Sequence, residues 1–463
     1  MVSEGVSLKN IFKNLLFIIV GFLIPFVFIG LTENLLILCL FLISGLLFFY
    51  SNRNPKYRYP INKILLGIAI SLCLYFSNKI IQTYRIIPEW DFLCFYLFGT
   101  VGRSHSNFYD PVVFKKYFDI LQLQSLASSS FIKEIVNVGF WYPPPSMFLF
   151  VGLSLFKIKT AYFIWQSIVV FLFLLDVFLL IQLFNSYKTK ELKEGGSKLP
   201  ILLLILLFPH VLQSLFVSQT LTLFLFFLLL MIKYVNKWQS GVFLAILIII
   251  KPLAALFFLY FLFFKKWKIV LSFTISGIVI VLATSLYFGI DNFLNYFLSP
   301  PTLRIPEYVY WESSSLYVEV LKLQRLLPNL ISEGVIKPIY YFLSALLIIA
   351  TLFAIYKTDK IKSFNPFFVF IPLALMIYPG TLGHYIIILL PVILYFYNLA
   401  LFKNTSLNFF CIFVFYAIGF YSFSLLNFLL WLFFIYLSFS MRYSKNNSNS
   451  LFTKFAFLYS NAK

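Results

Sequence analysis

The sequence predicts an all-α polytopic membrane protein of roughly 12–14 transmembrane helices, with its polar chemistry carried by two large extracytoplasmic loops. Three observations carry that prediction. The 463 residues have a mean hydropathy of +0.93, with 61% hydrophobic and only 11% charged, too few charges to cover a soluble globule. Apolar runs recur almost from end to end. The excess of 36 Lys+Arg over 16 Asp+Glu, a net charge of +20, falls largely in short clusters between those runs. In a membrane chain such clusters report cytoplasmic loops and anionic lipid headgroups, so soluble nucleic-acid binding is excluded as their meaning. The 61 Phe and 30 Tyr fit lipid-facing and interfacial positions.

In chain order, residues 1–83 read as N-terminal transmembrane segments, with spans at 15–31, 35–50 and 64–83. Lys9 and Lys13 precede the first, which implies a cytoplasmic start. That run is longer than a signal-peptide core and no small-residue cleavage site follows, so it reads as a span of the mature chain. Residues 84–140 form the extracytoplasmic loop. Its charges are interleaved with aromatic residues, and Phe114, Tyr117, Phe118 and Leu121 recur at helical spacing, as in amphipathic interfacial helices.

A transmembrane core over 141–288 follows, with spans at 161–184, 200–217, 220–232, 241–250, 253–264 and 269–288. Its opening, Trp141-Tyr142-Pro143-Pro144-Pro145, leads an apolar run to Phe156. A crossing there would put the Lys188/Lys190/Lys193/Lys198 cluster on the wrong side. The run therefore reads as re-entrant or cavity-lining, with the prolines suited to a helix start. Residues 289–335 form a second extracytoplasmic loop, 336–441 the C-terminal transmembrane helices, and 442–463 a basic cytoplasmic tail. Both termini are then cytoplasmic.

Candidate chemistry lies on the predicted outer side. Asp91, after Glu89-Trp90, reads either as a helix cap or as a carboxylate whose partial desolvation suits a general base. Lys251-Pro252 ends an apolar run at the outer face, where a lysine departs from the basic-inside trend; it reads as a phosphate-binding point charge or a snorkelling side chain. His384, on a Gly/Pro turn, reads as a donor to phosphate or sugar oxygens or as an interfacial histidine without a role, and Gln219, on another outer turn, as a sugar-bonding amide or a plain turn residue. Arg103, Asp110 and Glu312 lie in external loops, where a solvated charge is the ordinary reading. Asp176 is the clear charge inside a span, which suits local pairing or a cavity.

No metal or other cofactor is expected. His105, His210 and His384 have no ligand spacing, and Gly-rich phosphate loops are absent. Cys39, Cys73 and Cys411 lie in apolar runs and Cys94 in a more polar stretch, so neither a disulfide framework nor a zinc spacing exists.

Taken in order, Glu89-Trp90-Asp91-Phe92, Asn107-Phe108-Tyr109-Asp110-Pro111 and Phe140-Trp141-Tyr142-Pro143-Pro144-Pro145 resemble the amino-terminal half of the glycosyltransferase family 87 mannosyltransferases. Further on, Ser218-Gln219-Thr220 resembles the family's Gly-Gln turn with Ser in place of Gly. Ile250-Lys251-Pro252 resembles its Lys-Pro motif, and His384-Tyr385 before Leu389-Leu390-Pro391 its late His-Tyr segment. The Ser at 218 and two extra hydrophobic segments before the loop depart from that pattern.

The resemblance implies a GT-C-type helical bundle and an inverting hexosyltransferase of cell-envelope glycan synthesis in the plasma membrane. Its donor would be a polyprenyl-phosphate sugar, mannose being the implied hexose, and its acceptor a glycolipid or glycan. Asp91 would be the catalytic base; Lys251, His384 and Arg103 would bind the donor phosphate; Gln219, Glu312, Trp141 and Tyr142 would contact sugar or acceptor. A flippase or transporter of lipid-linked saccharide, or an O-antigen-type polymerase or ligase, are the competing readings.

Overall fold

In the computed structural model the described residues are 8–28, 32–87, 91–126, 128, 142–187, 199–208, 211–298, 313–328, 332–356, 358, 365–398, 412, 414–419 and 421–444. Among them the chain is helical without a strand, and a backbone bridge joins Ser313 to Leu382. Among the described residues, four helices are long and apolar enough to cross a membrane: Lys56–Thr83, Ile158–Leu183, Trp267–Phe288 and Gly334–Ile355. Further apolar helical stretches of 10–17 residues among the described residues include Leu35–Phe48, Leu221–Lys233, Gln239–Ile250 and Phe423–Phe439.

The N-terminal helices α1 (Leu8–Leu23), α2 (Glu33–Arg53) and α3 (Pro55–Thr83) pack together. A Cβ on Gly21 would lie 2.0 Å from the Ile64 carbonyl oxygen and one on Gly67 2.1 Å from that of Ile18, so α1 and α3 meet backbone to backbone.

Among the described residues of the loop expected at 84–140 are two helices of different character. Helix α5 (Pro111–Ile120) is amphipathic as anticipated, burying Phe114 and Phe118; Asp110 caps it by accepting from the Val112 N–H at 2.9 Å. Helix α4 (Asp91–Arg103) is instead buried along its length from Phe92 to Gly102. It packs on α6 (Met147–Leu153) and touches α7 (Ile158–Tyr187). Phe95 stacks on Phe150 with ring centroids 4.5 Å apart and meets Trp165 edge-on at 5.7 Å. Many of the chain's aromatic rings thus build this core rather than only face lipid.

Helix α6 has 7 residues, about 10 Å of rise, too short by itself to cross a bilayer. A Cβ on Gly99 would sit 2.0 Å from the Phe150 carbonyl oxygen. Gly99→Ala is therefore expected to push α4 from α6 and destabilise the protein by about 1–3 kcal/mol. A thermal unfolding midpoint equal to wild type would contradict that packing.

Beyond α7 the run expected at 200–217 breaks into α8 (Leu199–Leu206) and α9 (Val211–Phe216). Helices α10 (Leu221–Lys233) and α11 (Gln239–Ile250) follow, then α12 (Ala255–Phe263) after a 3₁₀ turn at Pro252–Ala254. Helix α13 (Trp267–Phe288) exposes Leu271, Ile275, Ile278, Leu282 and Leu286, an apolar stripe suited to lipid. The chain continues through α14 (Ile290–Leu298), α15 (Leu316–Leu326) and α16 (Glu333–Ile355). Last come α17 (Phe370–Ile377), α18 (Leu390–Asn398) and α19 (Phe423–Ser444).

Candidate active site

The site forms where helices stop. Asp91 opens α4. Tyr142 precedes the prolines that start α6, its carbonyl accepting from the Tyr109 hydroxyl at 2.8 Å and its ring set edge-on against Phe95 and Phe150. Gln219 lies on the turn between α9 and α10. Lys251 ends α11: the following Pro252 disfavours helical geometry at the residue before it, and Lys251 is extended (φ −150°, ψ 122°). Tyr385 comes from the 3₁₀ segment Gly383–Leu389, which packs on α9 and α10.

These side chains form one connected network. The Lys251 ammonium donates to the Tyr385 hydroxyl at 2.5 Å, to the Tyr142 hydroxyl at 3.0 Å and to Gln219 Oε1 at 3.3 Å. It also lies 4.5 Å and 4.7 Å from the ring centroids of Tyr142 and Tyr385. Gln219 Nε2 donates in turn to the Asp91 carboxylate, while its Oε1 also accepts from the Tyr142 hydroxyl at 3.3 Å. An ammonium only donates and a carboxylate only accepts, so the two charges fix which way the amide points. Lys251 is 4% exposed. Burial pulls its ammonium below the ordinary lysine range, and the Asp91 carboxylate opposes that pull.

All three ammonium hydrogens are engaged, so a substrate phosphate could bond Lys251 directly only by displacing one of these oxygens. The Tyr385 hydroxyl receives from the cation, and among the described residues nothing accepts its proton. That proton is available to a substrate oxygen and is a stronger donor for the ammonium behind it.

The turn carrying Gln219 is backbone-strained. Ser218 has φ +54°, a left-handed conformation that costs an L-residue roughly 1–2 kcal/mol. That explains physically why glycine suits the position.

The other sequence candidates fall in several places. His384 is buried, its carbonyl accepts from the Ser214 hydroxyl at 3.2 Å, and its ring centroid lies 5.1 Å from that of Tyr385, so it borders the network. Arg103 is not brought to it. It ends α4, roughly 18 Å along the axis from Asp91, and donates to the Ser154 carbonyl at 3.0 Å. A cation there suits the helix C-terminus. Trp141 and Glu312 lie outside the described residues, as does His210. The residues after Glu312 do reach the site's edge: Ser314 N–H donates to the Thr381 carbonyl at 3.1 Å and the Ser315 hydroxyl to the Pro379 carbonyl at 3.0 Å. Asp176 is fully buried, and neither carboxyl oxygen has a hydrogen-bond partner among the described residues.

Tyr385 had no role assigned from sequence, although it adjoins His384 in the same motif. Gln166, Trp165 and Ser218, which hold the turn, gave less signal, since a lone glutamine or tryptophan inside an apolar run reads as packing.

The family model described as glycosyltransferase family 87 matches residues 140–379, more than half of the chain. The chain belongs to glycosyltransferase family 87. Family membership identifies a membrane glycosyltransferase, using a sugar donor and an acceptor, and favours sugar transfer over translocation. No curated protein matches this family 87 chain, and no solved structure does. Tyr142, Gln219 and Lys251 fall within the matched segment; Asp91 and Tyr385 lie outside it and are joined to it by the network.

Proposed function

We propose that this membrane glycosyltransferase moves a hexose, mannose in the first instance, from a polyprenyl-phosphate donor to a hydroxyl of a glycolipid or glycan, with inversion at the anomeric carbon. One observation carries the reading: Asp91 is linked through a single amide to a buried cation, a carboxylate and a positive charge held apart at fixed spacing.

In this reading Asp91 takes the proton of the acceptor hydroxyl as that oxygen forms its bond to the anomeric carbon. The bond from that carbon to the phosphate oxygen breaks, and polyprenyl phosphate leaves with the electron pair. The Tyr385 hydroxyl donates to the leaving phosphate, and Lys251 supplies positive charge from behind it. His384, beside Tyr385, completes the phosphate side, while Tyr142 and Gln219 border the sugar. The site would face the extracytoplasmic side.

The test is a purified-protein assay offering the same hexose on polyprenyl monophosphate, on polyprenyl pyrophosphate and on a nucleotide. Transfer from the monophosphate, with the product linkage inverted by NMR, is expected; transfer only from the pyrophosphate would replace this reading with a polymerase or ligase. Tyr385→Phe, which keeps the ring and removes the donor, is expected to lower kcat by about tenfold to a hundredfold. Unchanged turnover would remove Tyr385 from the phosphate side.

A further inference from the structure

The turn that presents Gln219 is held by side chains that make no described bond to Asp91 or Lys251. We propose that Gln166 is a positioning residue for the transfer reaction: it holds Ser218 in its left-handed conformation and so keeps the neighbouring Gln219 amide between Asp91 and Lys251. The inference rests on the reading of that network as the reaction centre.

Both polar ends of the strained residue are bound by consecutive residues of α7. The Ser218 hydroxyl donates to Gln166 Oε1 at 2.6 Å, and Trp165 Nε1 donates to the Ser218 carbonyl at 2.6 Å. Neighbours on a helix project about 100° apart, so Ser218 is held from two directions. The Gln166 amide is itself fixed, with Nε2 donating to the Leu215 carbonyl at 3.2 Å and to Thr83 Oγ1 at 2.9 Å. A carbonyl only accepts, so Nε2 must face Leu215 and Oε1 is left for Ser218.

Thr83 ends α3, the helix that precedes Asp91 in the chain, and its carbonyl accepts from the Tyr162 hydroxyl of α7 at 2.6 Å. Gln166 therefore ties the turn bearing Gln219 to the helix end that leads toward Asp91. It is fully buried, where a leucine would fill similar volume without desolvating an amide.

Gln166→Leu keeps the packing and removes the tie. It is expected to lower kcat by about tenfold with little change in donor KM, because the reacting groups are misplaced rather than removed. Ser218→Gly in the Gln166→Leu background accepts the positive φ and deletes the orphaned hydroxyl. It is expected to bring turnover back to within about threefold of wild type. Turnover of Gln166→Leu at the wild-type level, or a loss that Ser218→Gly does not restore, would overturn the inference. If Gln166→Leu does not fold, Trp165→Phe removes the N–H to the Ser218 carbonyl and keeps an aromatic ring there, and the same loss and rescue are expected.

A second arm needs no donor: a cryo-EM structure of the variant should show the Gln219 amide displaced from Asp91. An amide still bridging Asp91 and Lys251 overturns the positioning role even where the transfer reading holds. Wild-type protein that moves no sugar from the polyprenyl-phosphate donor overturns the transfer reading instead, while a displaced amide still supports the positioning of the turn.

Discussion

Asp91→Asn is expected to abolish measurable sugar transfer while leaving the protein folded. Asparagine has nearly the same shape and offers an oxygen to the Gln219 amide, so the contact that organises the site survives. What is lost is a carboxylate able to take a proton from the attacking hydroxyl. Positioned general bases contribute about 10²–10⁴-fold, and kcat should fall by that much with little change in donor KM. Turnover is measured with labelled donor on protein matched to wild type in elution profile and thermal midpoint. Wild-type turnover in such a sample would take the role of base away from Asp91.

Lys251→Met has the second largest expected effect. Methionine occupies comparable apolar volume but leaves Tyr142, Tyr385 and Gln219 Oε1 without their shared donor. The Asp91 carboxylate still holds the amide nitrogen, but the amide oxygen loses its charged donor and the Tyr385 hydroxyl loses the cation behind it. Removing a preorganised electrostatic group of this kind costs about 10²–10³-fold in kcat. The loss of stability is smaller: orphaned buried acceptors cost about 1–3 kcal/mol, offset in part because an ammonium no longer has to be held out of water. Activity should therefore fall far more than the unfolding midpoint. Lys251→Arg should not restore activity, because a planar guanidinium cannot replace a compact ammonium lying between two rings. Turnover of the Met variant within about threefold of wild type would show that the cation is structural only.

Much of the site could be read in the sequence because its members sit where the apolar pattern stops. Pro143 after Tyr142, Pro252 after Lys251 and the Ser218-Gln219-Thr220 turn each mark a break, and the structure brings those breaks together around one ammonium. Arg103 lies apart from that ammonium for a geometric reason. It shares a loop with Asp91, but the two are the first and last residues of one continuous helix of 13 residues.

The burial of α4 was hidden by its flanks, whose charges suggested an interfacial helix, whereas Gly99 and Gly102 let α6 lie directly against it. The break between α8 and α9 was illegible because hydropathy reports apolar length and not continuity of the helix. Gln166 was illegible for a different reason: its role depends on a backbone angle at Ser218, and no side-chain pattern encodes that.

The most direct test is a structure of the Asp91→Asn protein with a polyprenyl-phosphate hexose bound, since the inactive variant preserves the donor. The anomeric carbon should face the substituted side chain, with the phosphate on the far side of the sugar against Tyr385, Lys251 and His384. A donor whose phosphate lies instead at the Arg103 end of α4, with its sugar out of reach of position 91, would contradict the mechanism.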